Sequence, residues 1–311
     1  MNIASYRKGF DRMSVGQFFA ILLVVTIWGA NFTVIKLGLG EMPPILLSSL
    51  RFAFAALPAV FFLPRPRCHW KYVVGFGVVL GCIKFSLLFL GMDLGLSAGI
   101  SSLVLQLQAF FTLLLGIFLL GEKVGPHRVV AMLVAFMGVG LLLFVSDGSI
   151  TAIGLALVIA AAAAWGLANI IMKKAGSVQM LSFVVWASLV PPIPLFILSM
   201  ITEERANLAM LPDQISWIGI GAILYLAYPV TLLGFAIWGR LLSTLPVGLV
   251  APFTLLVPIV GMATSALVLD EDFGPIKIIA ALLVMTGLLI NVFGGKLIQR
   301  FSAKKRDLSR I

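Results

Sequence analysis

Two cations, Arg51 and Lys84, stand inside long apolar stretches of this sequence, and no carboxylate lies deep in any such stretch. A charge placed there is costly, so each is a candidate for holding an anionic group. The uncharged polar residues of the same stretches include Asn31, Gln106, Gln108 and Asn169, with Trp28, Trp165, Tyr225 and Tyr228 as aromatic partners that also carry a polar atom. A cation suits a carboxylate, and amide oxygens or an aromatic face suit an ammonium. The chemistry on offer is the holding of polar and charged groups, not bond-making. The apolar stretches hold no nucleophile–base pair, no paired carboxylates and no metal-ligand set, so no catalytic residue is expected. Cys68, His69 and His127 fall in loops and Cys82 stands alone, which leaves no metal site and no cofactor to expect.

Each candidate also has a purely structural reading. Arg51 could snorkel to the surface or tie helix ends together through carbonyls, and Lys84 could snorkel as well. Trp28 and Asn31 are three residues apart and Trp165 and Asn169 four, so each pair shares one helical face. Asparagines on such faces can instead bond a neighbouring helix. Gln106 and Gln108 are two apart, so an α-helix points them in different directions and at most one should line a cavity. Glu122 and Glu271 close apolar stretches beside Gly-Pro turns. A helix C-terminus repels an anion, so turn amides or a basic partner are expected beside them. Pro258, with Pro191, Pro192, Pro194, Pro229 and Pro252, permits kinks, and a gating role for Pro258 is a candidate.

The elements that must position these residues are membrane helices. The chain is 61% hydrophobic and 11% charged over 311 residues, outside the range of soluble domains. Runs of about 20 apolar residues, enough to cross a bilayer, recur ten times. They lie near 15–36, 43–63, 71–91, 98–120, 126–145, 150–172, 178–201, 215–237, 246–268 and 274–294. Arg7, Lys8 and Arg12 before the first run resemble a secretory leader, but that run is too long and no small-residue cleavage site follows. It is read as a retained helix. The net charge of +10 is not gathered into a nucleic-acid patch. Basic residues crowd the N-terminus, alternate loops (Arg65, Arg67, Lys71; Lys123, Arg128; Lys173, Lys174; Arg240) and the Lys296–Arg310 tail, while Glu41, Asp93, Asp147, Glu203, Glu204 and Asp270 to Asp272 mark the other loops. That alternation places both termini in the cytosol.

The chain also repeats itself. Glu122–Ala131 reads EKVGPHRVVA and Glu271–Ala280 reads EDFGPIKIIA, and upstream Trp28-Gly29, Asn31 and Lys36 are echoed by Trp165-Gly166, Asn169 and Lys173. Five helices per unit is an odd number, so the second unit enters the membrane inverted. The expected fold is an all-α integral membrane protein of ten transmembrane helices in two inverted five-helix repeats. The repeats span 15–145 and 150–294, between a cytoplasmic N-terminus (1–14) and a basic cytoplasmic tail (295–311). Inverted repeats are the frame of alternating-access carriers, with the site at their interface.

The ten-helix pattern, Trp28-Gly29-Ala30-Asn31, Leu50-Arg51-Phe52, Gly121-Glu122 and Pro258…Glu271 resemble the drug/metabolite transporter superfamily in its bacterial EamA branch, over about residues 15 to 294. Within it, Ser102–Gln106 with Gln108–Thr112, Trp186-Ala187 before Val190-Pro191, Leu256–Pro258 and Asn291–Phe293 are similar to the O-acetylserine/cysteine exporters. Ala109 departs from the pattern, standing where the second repeat has Pro258. The resemblance implies a bacterial inner-membrane exporter of small amino-acid metabolites that a monomer could constitute, with the lipid bilayer as its other partner. Aromatic or other amino acids and hydrophobic drugs are alternative cargoes. A channel would need a continuous polar stripe, which scattered polar residues do not make.

Overall fold

The computed structural model describes residues 13–203 and 216–308, with the backbone alone described for 296–308. Arg7, Lys8, Arg12, Glu204 and Arg310 lie outside the described residues, and no side chain of the basic tail is described. All regular structure among the described residues is helical. Ten helices are long and apolar enough to cross a membrane: α1 (Val15–Leu39), α2 (Pro44–Phe61), α3 (Trp70–Asp93), α4 (Ala98–Leu120), α5 (Pro126–Phe144), α6 (Ala152–Ala175), α7 (Met180–Thr202), α8 (Trp217–Thr244), α9 (Val247–Leu269) and α10 (Pro275–Gly295). The α10 helix runs on to Leu308.

Local signals set the ends. Ser14 caps α1 in a reciprocal box with Gln17, Thr151 accepts from the Gly154 amide at the start of α6, and Pro44, Pro126 and Pro275 sit at first helical positions. Gly121 ends α4 in the left-handed conformation at φ 67°. Several helices are not regular α throughout. Gly77–Lys84 in α3 and Leu226–Leu233 in α8 are π-helical, and 3₁₀ turns interrupt α4 at Leu105–Leu107 and α9 at Ala251–Leu255. Each widening or tightening rotates the side chains beyond it relative to an unbroken helix.

The echoed Trp-Gly phrase has a packing cause. A Cβ on Gly29 would stand 2.5 Å from Val260 Cβ, and one on Gly166 would stand 2.8 Å from Phe111 Cβ. Only glycine lets α1 cross α9, and α6 cross α4, at that approach. The closely packed α5–α10 pair crosses the same way at Gly138 and Gly287. It stands apart from the cavity, whose described lining comes from the other eight helices.

Candidate functional site

The cavity encloses about 280 Å³, a volume suited to a small metabolite. Its lining runs from Asn31, Arg51, Lys84 and Ser102 at mid-depth to Met172, Met180 and Trp238, toward the end of the bundle that carries Glu122 and Lys173. Aromatic walls come from Trp28, Phe52, Phe85, Trp165, Phe235 and Trp238. Among the described lining residues, Arg51 and Lys84 are the charged ones, and none is acidic.

Neither cation snorkels. Arg51 is 2% and Lys84 3% exposed. Lys84 closes the π-helical stretch of α3, held against α7 where a Cβ on Gly81 would meet Pro191 Cγ at 2.0 Å. Its Nζ sits 3.4 Å from the Phe85 ring centroid and 4.6 Å from that of Trp165. It has no hydrogen bond and no carboxylate partner among the described residues. Arg51 stacks on the same Phe85 ring, Cζ to centroid 4.1 Å. Its Nη2 donates to Thr231 Oγ1 at 3.3 Å, and that hydroxyl donates to the Leu226 carbonyl within the π-helical stretch of α8. The Nε and Nη1 atoms of Arg51 are buried without partners. Sharing one ring bounds the separation of the two charges by the sum of their distances to it. Like charges about 7 Å apart repel by on the order of 2 kcal/mol at an effective dielectric of ~20. Ring quadrupoles offset part of that.

The polar candidates divide. Asn31, buried at 7% exposure, lines the cavity with its Oδ1 unpartnered. Asn169 also lines it, and its Nδ2 donates to Gln108 Oε1 at 2.7 Å and Thr112 Oγ1 at 3.0 Å. Gln106 Nε2 donates to the Thr254 carbonyl at 3.2 Å. Gln106 and Gln108 both line the cavity, contrary to the expectation that only one would. Gln106 lies within the 3₁₀ turn of α4 and Gln108 directly follows it, and they face opposite walls, Gln106 toward α9 and Gln108 toward α6. Trp28 and Trp165 are both present, and Trp28 Nε1 donates to the Val230 carbonyl. Tyr225 and Tyr228 lie outside the lining, and the Tyr225 hydroxyl donates to the Ile27 carbonyl at 3.0 Å, joining α8 to α1.

Arg51, a cation candidate with a structural alternative in the sequence, is a lining residue. Thr231, Phe235 and Trp238 of α8 were not singled out in the sequence; Phe235 and Trp238, three residues apart, make one aromatic face against Trp28, the signal that could have found them. The other candidates stand away from the cavity. Pro258 is buried in α9, and its carbonyl accepts a long bond of 3.5 Å from the Ser102 hydroxyl. Glu122 pairs with Lys173 across α4 and α6. Glu271 caps no Gly-Pro turn: its carboxylate accepts from the Ala98 and Gly99 amides at 2.6 and 3.0 Å. Those orphan amides at the start of α4 carry the positive end of a helix dipole, a stronger anion site than the turn. Among the described residues no cluster of His, Cys, Asp or Glu could hold a metal ion.

Ten helices long and apolar enough to cross a membrane, eight of them lining one interior cavity, mark a multi-pass membrane protein. The chain belongs to the EamA-like transporter family, which matches it twice, over residues 16–144 and 152–293. It is 41% identical over 281 residues to a probable amino-acid metabolite efflux pump of Escherichia coli K12, covering 88% of this chain and 93% of that one. It is 40% identical over 288 residues to a protein of the same description from Salmonella typhimurium LT2, covering 91% and 96%. A solved crystal structure superposes with a TM-score of 0.59 at 19% identity, over 88% of this chain and 93% of the other, which bears on the fold alone.

Proposed function

We propose that this protein is a bacterial inner-membrane secondary transporter that exports small amino-acid metabolites, of the cysteine and O-acetylserine type. It would work by alternating access between two inverted five-helix repeats, with both termini cytoplasmic. The observation that carries the reading is the charge of the cavity: two buried cations and no acidic lining residue among those described. A substrate carboxylate at Lys84, in the field of Arg51, neutralises charge that no described residue compensates. The amides of Asn31, Gln106 and Gln108 are within the same cavity to hold polar substituents, and the Trp28 and Trp238 faces suit an ammonium or a short apolar arm. The names of the relatives at 40% and 41% identity point to the same class of cargo.

The aromatic walls favour a second reading, export of aromatic amino acids or hydrophobic drugs, but two cations repel a cationic drug. Counterflow in proteoliposomes decides. Labelled cysteine and O-acetylserine should accumulate saturably against preloaded unlabelled substrate, with serine competing and a hydrophobic dye not. No counterflow from folded, inserted protein sinks the cargo assignment, and linear uptake without counterflow makes the protein a channel.

A further inference from the structure

The echoed phrase puts Glu122 and Glu271 in the same register of the two repeats, yet the structure gives them different partners. Glu271 binds the Ala98 and Gly99 amides, clamping α9 to the start of α4. In the register that pairs Glu122 with Glu271, Ala98 and Gly99 answer to Val247 and Gly248, the first residues of α9. Glu122 is not on that helix start; it pairs with Lys173 of α6. Lys173 in turn echoes Lys36, whose Nζ donates to the Met92 carbonyl at 2.8 Å and not to Glu271. The packing has the same asymmetry. Ala98–Val104 of α4 lies along Leu256–Leu269 of α9 at the Glu271 end, whereas Gln108–Leu120 packs chiefly on α6, and the cavity reaches toward the Glu122 end.

We propose that Glu122 and Glu271 are reciprocal latches of the transport cycle, an inference that rests on the carrier reading above. In the alternate state Glu271 leaves α4 for Lys36, while Glu122 leaves Lys173 for the amides at the start of α9. Each end is shut when its glutamate caps the α4 or α9 start of the other repeat and open when it pairs with the lysine on the first helix of that other repeat, Lys173 for Glu122 and Lys36 for Glu271. The structure is the state closed at the Glu271 end. A carboxylate suits both partners, since it accepts two amide bonds at once and also pairs with an ammonium. All four residues are positioning residues, because none lines the cavity.

The test is the full chain in lipid nanodiscs, with native Cys68 and Cys82 replaced by serine. Spin-label pairs at the exposed positions Leu94 and Leu267 read the Glu271 end, and pairs at Phe118 and Ser243 read the Glu122 end. Glu271→Gln should cut the short-separation population at the Glu271 end roughly fivefold, the difference between charged and neutral acceptors. Glu122→Gln and Lys173→Gln remove the same ion pair but should act oppositely. Glu122→Gln deprives the alternate state of its latch and raises the short population at the Glu271 end. Lys173→Gln weakens the present state and lowers it. Two populations that these variants shift in the same direction overturn the latch and leave the carrier. One unchanging separation at each end in the wild type, with and without cysteine, removes the carrier reading and the latch with it.

Discussion

Lys84→Met is the sharpest test of the cavity. The substitution keeps the length and most of the volume of the side chain while deleting its charge, so the aromatic walls of Phe85 and Trp165 stay packed. An ammonium and a carboxylate at 4 Å attract by about 4 kcal/mol at an effective dielectric of ~20. Stripping water from the substrate's carboxylate offsets part of this, leaving about 2–3 kcal/mol, or roughly 30- to 140-fold in affinity. The fold should respond in the other direction. Lys84 has no counterion among the described residues, and its repulsion from Arg51 is on the order of 2 kcal/mol by the separation their shared ring allows. The variant should therefore melt no lower than wild type, and higher if the ring contacts contribute little. The assay is counterflow of O-acetylserine in proteoliposomes, with half-saturation measured on protein whose melting temperature is recorded in parallel. A half-saturation unchanged within threefold would remove Lys84 from the substrate site. A variant that transports poorly and also melts early would mean that the lysine supports the fold, and the electrostatic argument fails.

Gly29→Val places carbon where Val260 stands within 2.6 Å, so α1 and α9 must separate; purified yield and melting temperature should both fall, and unchanged values would contradict the close-approach account. Pro258→Ala restores an amide hydrogen to α9. If a proline-permitted bend there serves gating, maximal exchange should fall severalfold with half-saturation little changed, and a normal rate ends that idea. The third concerns the link between the repeats. Lys277, reaching Asp147 Oδ2 at 2.6 Å, and then Ser149 hold the Asp147 carboxyl down at about 2 from 3.8. Its contribution is full above the unfolded value and drains as pH falls from about 4 toward 2. Because Asp147 is 46% exposed, solvent screening limits the effect to less than about 1 kcal/mol. Asp147→Asn should lower the melting temperature slightly at pH 7 and make no difference near pH 2, and an equal loss at both would assign the effect to lost packing.

The helices were legible because ten long apolar runs leave no other solution in a bilayer, and the structure's ten membrane-length helices fall where those runs lie. Most candidate lining residues were legible for a related reason, since a polar group in such a run is costly and seldom idle. The exceptions show what single positions cannot carry. Tyr225 looked equivalent to Trp28, but its hydroxyl found a carbonyl on α1, and only packing decides that. The two glutamines were divided by an assumption of regular α-helix, which the 3₁₀ turn at Leu105–Leu107 breaks. The π-helical stretches left no mark that periodicity could detect, because apolar residues surround them on every face. Glu271 was misread since its partners are backbone amides of a distant helix, and a sequence records no side chain there to suggest them.

The repeat explains the frame, and departures from the repeat explain the chemistry. Paired features are mechanical: glycine crossings at Gly29 and Gly166, π-helical stretches in α3 and α8, and a glutamate after each of α4 and α9. The charged features of the cavity are single. Lys84 ends its π-helical stretch, whereas the equivalent stretch in α8 ends in Leu233. Arg51 too comes from the first repeat, and what faces it from the second is a hydroxyl, Thr231. Both cations thus belong to one half, and Phe235 and Trp238 of the other supply an apolar wall. A substrate carboxylate should then ride with the first repeat while the second moves past it. On that argument, enlarging the α8 wall with Thr231→Leu should slow exchange more than it weakens binding, the reverse of Lys84→Met. Competition binding and counterflow on the same preparations separate the two, and a Thr231→Leu defect confined to affinity would refute the division of labour.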